Sequence, residues 1–296
     1  MNLRKTVAGL AALLLVTAGA GEARDWFHLV FPPPQQQHEQ RKPGPASRAL
    51  SQRESLALYS AQQRQPSFQA CTDQFPDNKP LQAAQLAPRD MKPLSLCSDN
   101  FAVLYSQTSK TPLVVVERLS AGQLADAKGE QRTDRFYADP RIPRAGRAEL
   151  SDYRGQYPAV DRGHQAPAAD APDQNAMAQT FALSNMVPQD PDNNRKAWNK
   201  IENDVRKFTK RAKGNVYVFT GPLFDEGHDT IGQNRVWKPT RLYKLVYDEA
   251  SGRAWAYVLR NAEVRVEPPI DYQAFVKATG LRLLDGVAIT GTAGRS

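Results

Sequence analysis

Asp161, Arg162, Gly163 and His164 stand in a row in the stretch DRGHQAP (161–167), and His164 is one of only four histidines in a chain of 296 residues. An imidazole with an ordinary pKa near ~6.5 is largely neutral yet basic at neutral pH, which suits a general base. The neighbouring guanidinium of Arg162 has the planar fork that grips a phosphate through two N–H groups. A second set lies thirty residues on. Asn194, Trp198, Glu202 and Arg206 recur every four residues in NRKAWNKIENDVR (194–206), so they fall along one drifting stripe of a helix. Each residue also has a plain structural use. Asn194 suits a helix N-cap, Glu202 and Arg206 make an i, i+4 pair worth only ~0.2–0.5 kcal/mol, and a histidine can be a satisfied core residue. Chemistry requires the two sets to meet in space.

The elements that must bring them together are legible from periodicity. Residues 192–213 carry the clearest helical pattern, with Ala197, Trp198, Ile201, Val205 and Phe208 on one apolar stripe and a net charge of +5. FAVLYSQ (101–107) and TPLVVVERLS (111–120) read as a β-hairpin across TSK. NVYVFTGPLF (215–224), TRLYKLVYD (240–248) and RAWAYVLR (253–260) read as further strands, the last two joined by the turn EASG. Strands outnumber helices and do not alternate with them, so the expected class is α+β with a mainly antiparallel sheet. Between residues 130 and 162 lie seven arginines, no lysine, and the breakers Pro140, Pro143, Gly146 and Gly155. On charge alone this stretch fits either a phosphate-gripping loop or a solvated one stapled by surface ion pairs.

Composition bounds the setting. The hydrophobic fraction of 41% supports a sizeable core. Residues 1–23 have the form of a secretory signal peptide: Arg4 and Lys5, an apolar run from Val7 to Val16, then small residues. That run is too short to span a bilayer, and no later segment is apolar enough. Without Arg4, Lys5 and Glu22 the net charge falls from +8 to +7, a balance that favours polyanionic partners. The chain is therefore expected to be exported, to the periplasm or the medium. Cys71 and Cys97 are then expected to pair. Residues 24–70, with the Pro- and Gln-rich stretch 32–49, read as an N-terminal extension. Ser51 and Glu54 have capping-box spacing for a short helix within 51–65, and residues 71–296 read as the main domain. His28 and His38 lack acidic or cysteine neighbours at ligand spacing, and His228 reads as a loop residue.

DRGHQAP, LSNMVPQ (183–189) and NRKAWNKIENDVR together resemble the DNA/RNA non-specific endonucleases, a family that includes secreted bacterial nucleases and mitochondrial endonuclease G. The resemblance covers most of residues 71–290. It implies a ββα-metal motif with His164 at the end of a strand as general base. It also implies Asn194 as the sole direct protein ligand of a divalent metal, Mg²⁺ or another cation such as Mn²⁺. Glu202 matches the carboxylate that holds the metal's water shell, Arg162 and Arg206 match phosphate-contacting arginines, and Asn185 a supporting residue. A further arginine upstream of the motif is matched best by Arg135, and Asp161 is expected to hold nearby backbone donors. The implied partners are DNA and RNA, bound through the phosphate backbone, with binding that weakens steeply with salt. Family members are often homodimers. Two other readings remain open here: a nucleic-acid-binding protein that has lost catalysis, and a metal-dependent phosphodiesterase acting on small diesters.

Overall fold

The computed structural model describes residues 49–291, which belong to one compact unit, Ser47–Ser296; the other unit, Met1–Ala46, lies outside the described residues, as does the expected signal peptide. The centre is a sheet of seven strands in the order β1 (Pro93–Cys97), β2 (Ala102–Ser106), β3 (Thr111–Leu119), β6 (Val216–Leu223), β9 (Arg241–Asp248), β10 (Arg253–Arg260) and β11 (Ile270–Asp271). Every neighbouring pair is antiparallel. The α+β, mainly antiparallel class read from the sequence is therefore the observed one. The two short outer strands, β1 and β11, were not anticipated.

Both faces of this sheet are covered, which explains why its strands read as continuous apolar runs. Side chains alternate between faces. Tyr217 and Phe219 of β6, with Tyr243 and Leu245 of β9, pack on one side with the C-terminal helix Tyr272–Thr279 through Phe275. Val216, Val218, Leu242 and Val246 face the other side, where Ala197, Trp198, Ile201 and Val205 meet them. The apolar stripe expected from the sequence is the face by which the site helix docks. Its departure from ideal geometry is at the start: Asn193–Trp198 is a π-helical stretch, followed by the α-helix Asn199–Thr209.

Two small hairpins complete the structure, β4 (Asp161–His164) with β5 (Met186–Gln189), and β7 (Thr230–Ile231) with β8 (Val236–Trp237). Among the described residues no helix is long and apolar enough to cross a membrane.

The described part of the expected N-terminal extension, residues 49–70, belongs to the same compact unit as the residues after it. The capping box of Ser51 and Glu54 forms, but its helix covers only Gln52–Ala57. Beyond it Tyr59 is buried, its hydroxyl 2.7 Å from that of Tyr137, with the Arg141 guanidinium 3.8 Å from its ring centroid. Cys71 and Cys97 are joined as a disulfide, Cα atoms 5.6 Å apart, fastening this leading segment to the end of β1. Residues 51–70 looked separable because they are polar, and they pack through a few large side chains instead of a periodic stripe.

Candidate active site

The two sequence sets meet through strand pairing. DRGH is β4 and MVPQ is β5, in the register Asp161↔Gln189, Arg162↔Pro188, Gly163↔Val187 and His164↔Met186. Glycine is required at 163 because a Cβ there would overlap the Gln189 side chain, including its Cβ at 2.7 Å. Gln189 in turn donates from Nε2 to Asn193 Oδ1 at 2.8 Å, tying β5 to the start of the site helix. Asn193 is wholly buried and donates from Nδ2 to the carbonyls of Arg260 (2.9 Å) and Ala262 (3.1 Å). This anchoring accompanies the π-helical stretch, a feature frequent at functional sites. It leaves the next residue, Asn194, beside β4.

Asn194 is not a helix cap. Its Nδ2 donates to Asp161 Oδ2 at 2.9 Å, while Arg195 clamps both oxygens of the same carboxylate at 2.9 and 2.7 Å. Asp161 therefore holds side chains, not the backbone donors expected of it, because the π-helical stretch brings two consecutive donors alongside. With its NH₂ spent on Asp161, Asn194 has a carbonyl oxygen left to offer, a hard neutral ligand of the kind that suits a divalent cation keeping its waters. Among the described residues no group of three or more His, Cys, Asp or Glu is placed to hold a metal ion.

His164 ends β4 with its ring between Phe136 (centroids 5.7 Å apart) and Phe181 (5.1 Å, edge-on). Its Nε2 is buried and has no hydrogen-bond partner. Burial pushes its pKa well below 6.5, and the charges of Arg132 and Arg162 push the same way. A buried polar atom without a partner is unfavourable, so this nitrogen is suited to receive a proton from something that enters the site. Arg162 lies over the Phe136 ring at 4.1 Å and makes no ion pair among the described residues, so its charge stays available.

Arg135 is not brought to this place. Tyr137 bridges Ala182, with Tyr137 N–H donating to the Phe181 carbonyl at 3.2 Å, so the chain here is extended and alternate side chains face opposite ways. Phe136 turns toward His164, whereas Tyr137 turns to Tyr59 and Arg135 pairs with Glu54 at 3.6 Å. The upstream arginine whose charge reaches both His164 and Glu202 is Arg132. No spacing rule singles it out in the sequence, because the stretch around it is irregular.

Asn185 is wholly buried, and its amide is fully used. Nδ2 donates to the carbonyls of Ala166 and Thr180, both at 2.9 Å, and Oδ1 accepts from Ala166 N–H at 2.9 Å. It positions the chain leaving His164 and has no group free for substrate. Arg206 does not pair with Glu202 either: it donates to buried Asp170 at 2.9 Å and to Asn203 Oδ1 at 3.1 Å. Its contribution toward Glu202 is charge rather than contact.

Glu202 lies over a polar island in the sheet. By alternation Glu117 of β3, Thr220 of β6 and Lys244 of β9 all face the site helix, and all are buried. Lys244 donates to Thr220 Oγ1 at 2.8 Å and lies 5.1 Å from the Trp198 ring centroid. Burial pushes the Glu202 carboxyl up to about 7, against the opposing pull of Lys244 and Arg206. Burial likewise raises Glu117 and lowers Lys244. Single polar residues inside apolar strands were the available signal for this island.

Residues 86–288 match the family model described as DNA/RNA non-specific endonuclease. The chain is 35% identical to human mitochondrial endonuclease G over 208 residues, covering 64% of this chain and 69% of that protein. It is 34% identical to Nuclease C1 of Cunninghamella echinulata var. echinulata over 212 residues, 65% of this chain and 83% of that one. A chain of the EndoG/EndoGI complex crystal structure superposes with a TM-score of 0.61 at 28% identity, covering 68% of this chain and 91% of that chain. With a ββα arrangement that pairs DRGH to MVPQ and sets Asn194 beside them, the chain belongs to the DNA/RNA non-specific endonuclease family and is a nuclease.

Proposed function

We propose that this enzyme cleaves DNA and RNA internally, with little regard to sequence, by attack of water on a backbone phosphate. His164 takes the proton of the attacking water on Nε2 as the oxygen–phosphorus bond forms, and the ester P–O bond to the leaving sugar oxygen breaks. The observation that carries this reading is the enclosed, unpartnered and neutral His164 nitrogen beside the unpaired Arg162. Arg162 and Arg132 offer positive charge to the phosphate, the second while bound to Asp134 at 2.6 Å. A divalent cation such as Mg²⁺ or Mn²⁺, when bound, would neutralise charge developing on the phosphate and leaving oxygen. Asn194 Oδ1 would be its protein ligand, Asp161 fixes that amide, and Glu202 would hold cation-bound water. Export, read from residues 1–23, is in keeping with the Cys71–Cys97 bond, since such bonds persist in oxidising compartments.

Incubating circular plasmid and single-stranded RNA with the wild-type protein, with Mg²⁺ or with EDTA, tests the reading. Cation-dependent breakdown of both substrates is expected. Folded protein that retards plasmid without cutting it would make this a binding protein instead. Asp161 has its own test. Asp161→Ala unlocks the Asn194 amide, and the cation concentration for half-maximal cleavage is expected to rise about 10–100-fold, as for other residues that orient a metal ligand. An unchanged concentration would remove Asp161 from that role.

A further inference from the structure

Tyr157 is fully exposed, and among the described residues it is the one large hydrophobic side chain that is exposed. Isolated apolar residues on a surface are ordinary, so the surroundings decide whether it matters. Its loop runs directly into β4. Asp161 follows Tyr157 by four positions, which keeps them within about 14 Å even for fully extended chain. The loop is braced. Gln156 Nε2 donates to the carbonyls of Asp152 (2.8 Å) and Arg154 (3.2 Å). Asp152 is itself buried and accepts from Glu149 N–H at 2.8 Å and from Asn234 Nδ2 at 2.9 Å. Gly232 lies so close to Asp152 that no side chain fits there, so the β7–β8 hairpin sits against the foot of the loop.

Two exposed arginines belong to this loop and to the hairpin at its foot. Arg154, inside the loop, is near enough for its charge to bear on Arg162. Arg235 is carried by the hairpin tip that Asn234 fastens to Asp152. Both are exposed, and neither has an ion pair among the described residues. An exposed aromatic ring, with uncompensated guanidinium groups on its own loop and on the adjoining hairpin, is a combination that suits single-stranded nucleic acid, where bases stack on the ring and phosphates meet the charge.

We propose that Tyr157, with Arg154 and Arg235, forms a stacking platform for an unpaired base of a single-stranded substrate strand, a few nucleotides from the phosphate at His164. A stacked strand rises ~3.4 Å per nucleotide, which matches the reach set by the loop. Duplex bases are already stacked on one another, so the platform favours single strands over intact duplex. This rests on the nuclease reading above and adds a substrate preference to it.

Binding in EDTA separates the two. A fluorescently labelled single strand of roughly twelve nucleotides and the corresponding blunt duplex are titrated with wild type, Tyr157→Ala and Tyr157→Trp, with fluorescence anisotropy as the readout. Tyr157→Ala is expected to weaken single-strand binding about tenfold, to leave duplex binding unchanged, and to be rescued by Tyr157→Trp. Because the side chain is fully exposed, the melting temperature should not move. Equal single-strand affinity in wild type and Tyr157→Ala, or equal losses on both substrates, overturns the platform. In those cases Mg²⁺-dependent cleavage by wild type would leave the nuclease reading standing. Wild type that neither binds nor cleaves would overturn both.

Discussion

His164→Asn is expected to lower plasmid cleavage by about 10²–10⁴-fold, the usual contribution of a positioned general base, while leaving DNA affinity in EDTA unchanged. Asparagine keeps a polar side chain between Phe136 and Phe181, so lost activity with retained melting temperature would separate loss of the base from collapse of its pocket. Proton affinity offers a second check. Burial, then Arg132 and Arg162, lower the pKa of this imidazole, so its NMR titration midpoint is expected well below 6.5. A midpoint at or above 6.5 would mean that the ring is wetter or better paired than the structure has it. Acidification through that titration removes the proton acceptor, so the part of the rate loss due to His164 belongs well on the acid side of neutrality. Equal loss of binding and activity in His164→Asn would return the residue to a structural role.

Glu202→Gln has the opposite balance of costs. Cleavage is expected to fall about 10–100-fold, as for residues that hold a metal's outer shell, while the cation-free protein becomes more stable at alkaline pH. Folding raises the Glu202 carboxyl from its ordinary value of 4.5 to about 7. Between those values the folded state binds more protons than the unfolded state, so this group's contribution to stability declines as pH rises through the window. Above it, an ionised Glu202 is held over the buried island at a cost that glutamine does not carry. The full shift sets an upper bound near ~3 kcal/mol, and partial access to solvent leaves about 2 kcal/mol, or roughly 4–8 °C in Tm. Thermal melts in EDTA at pH 8 and pH 4 measure it. The variant should melt higher at pH 8, with the advantage gone at pH 4; a lower Tm at pH 8 would show that Lys244 and Arg206 outweigh burial. Activity exchanged against stability in this way is common at catalytic sites.

Much of this was legible in the sequence, for identifiable reasons. β2, β3, β6, β9 and β10 emerged within a residue or two of their readings because each is a long apolar run between turn residues. The site helix was legible because docking on the sheet demands the Ala197–Trp198–Ile201–Val205 stripe. His164, Arg162, Asn194 and Glu202 were visible through motif spacing, and the structure gathers them around β4 and the site helix. What was not legible is position that depends on contacts rather than period. The extended bridge at Tyr137 turns Arg135 away, and Arg132 supplies the charge instead. Asp170, remote in sequence, takes Arg206. Asn193, which anchors the π-helical stretch, is indistinguishable by type from its neighbour Asn194 until Arg260 and Ala262 are seen to claim it.

Tyr59 touches Tyr137, whose neighbours Phe136 and Phe181 wall in the His164 imidazole, and Cys71 is bonded across to Cys97. Both Tyr59 and Cys71 precede residue 86, where the match to the family model begins. A polypeptide trimmed to the matching stretch would thus keep every side chain assigned to chemistry and lose the backing behind the histidine's enclosure. The length of chain that makes this enzyme is longer than the length that identifies it.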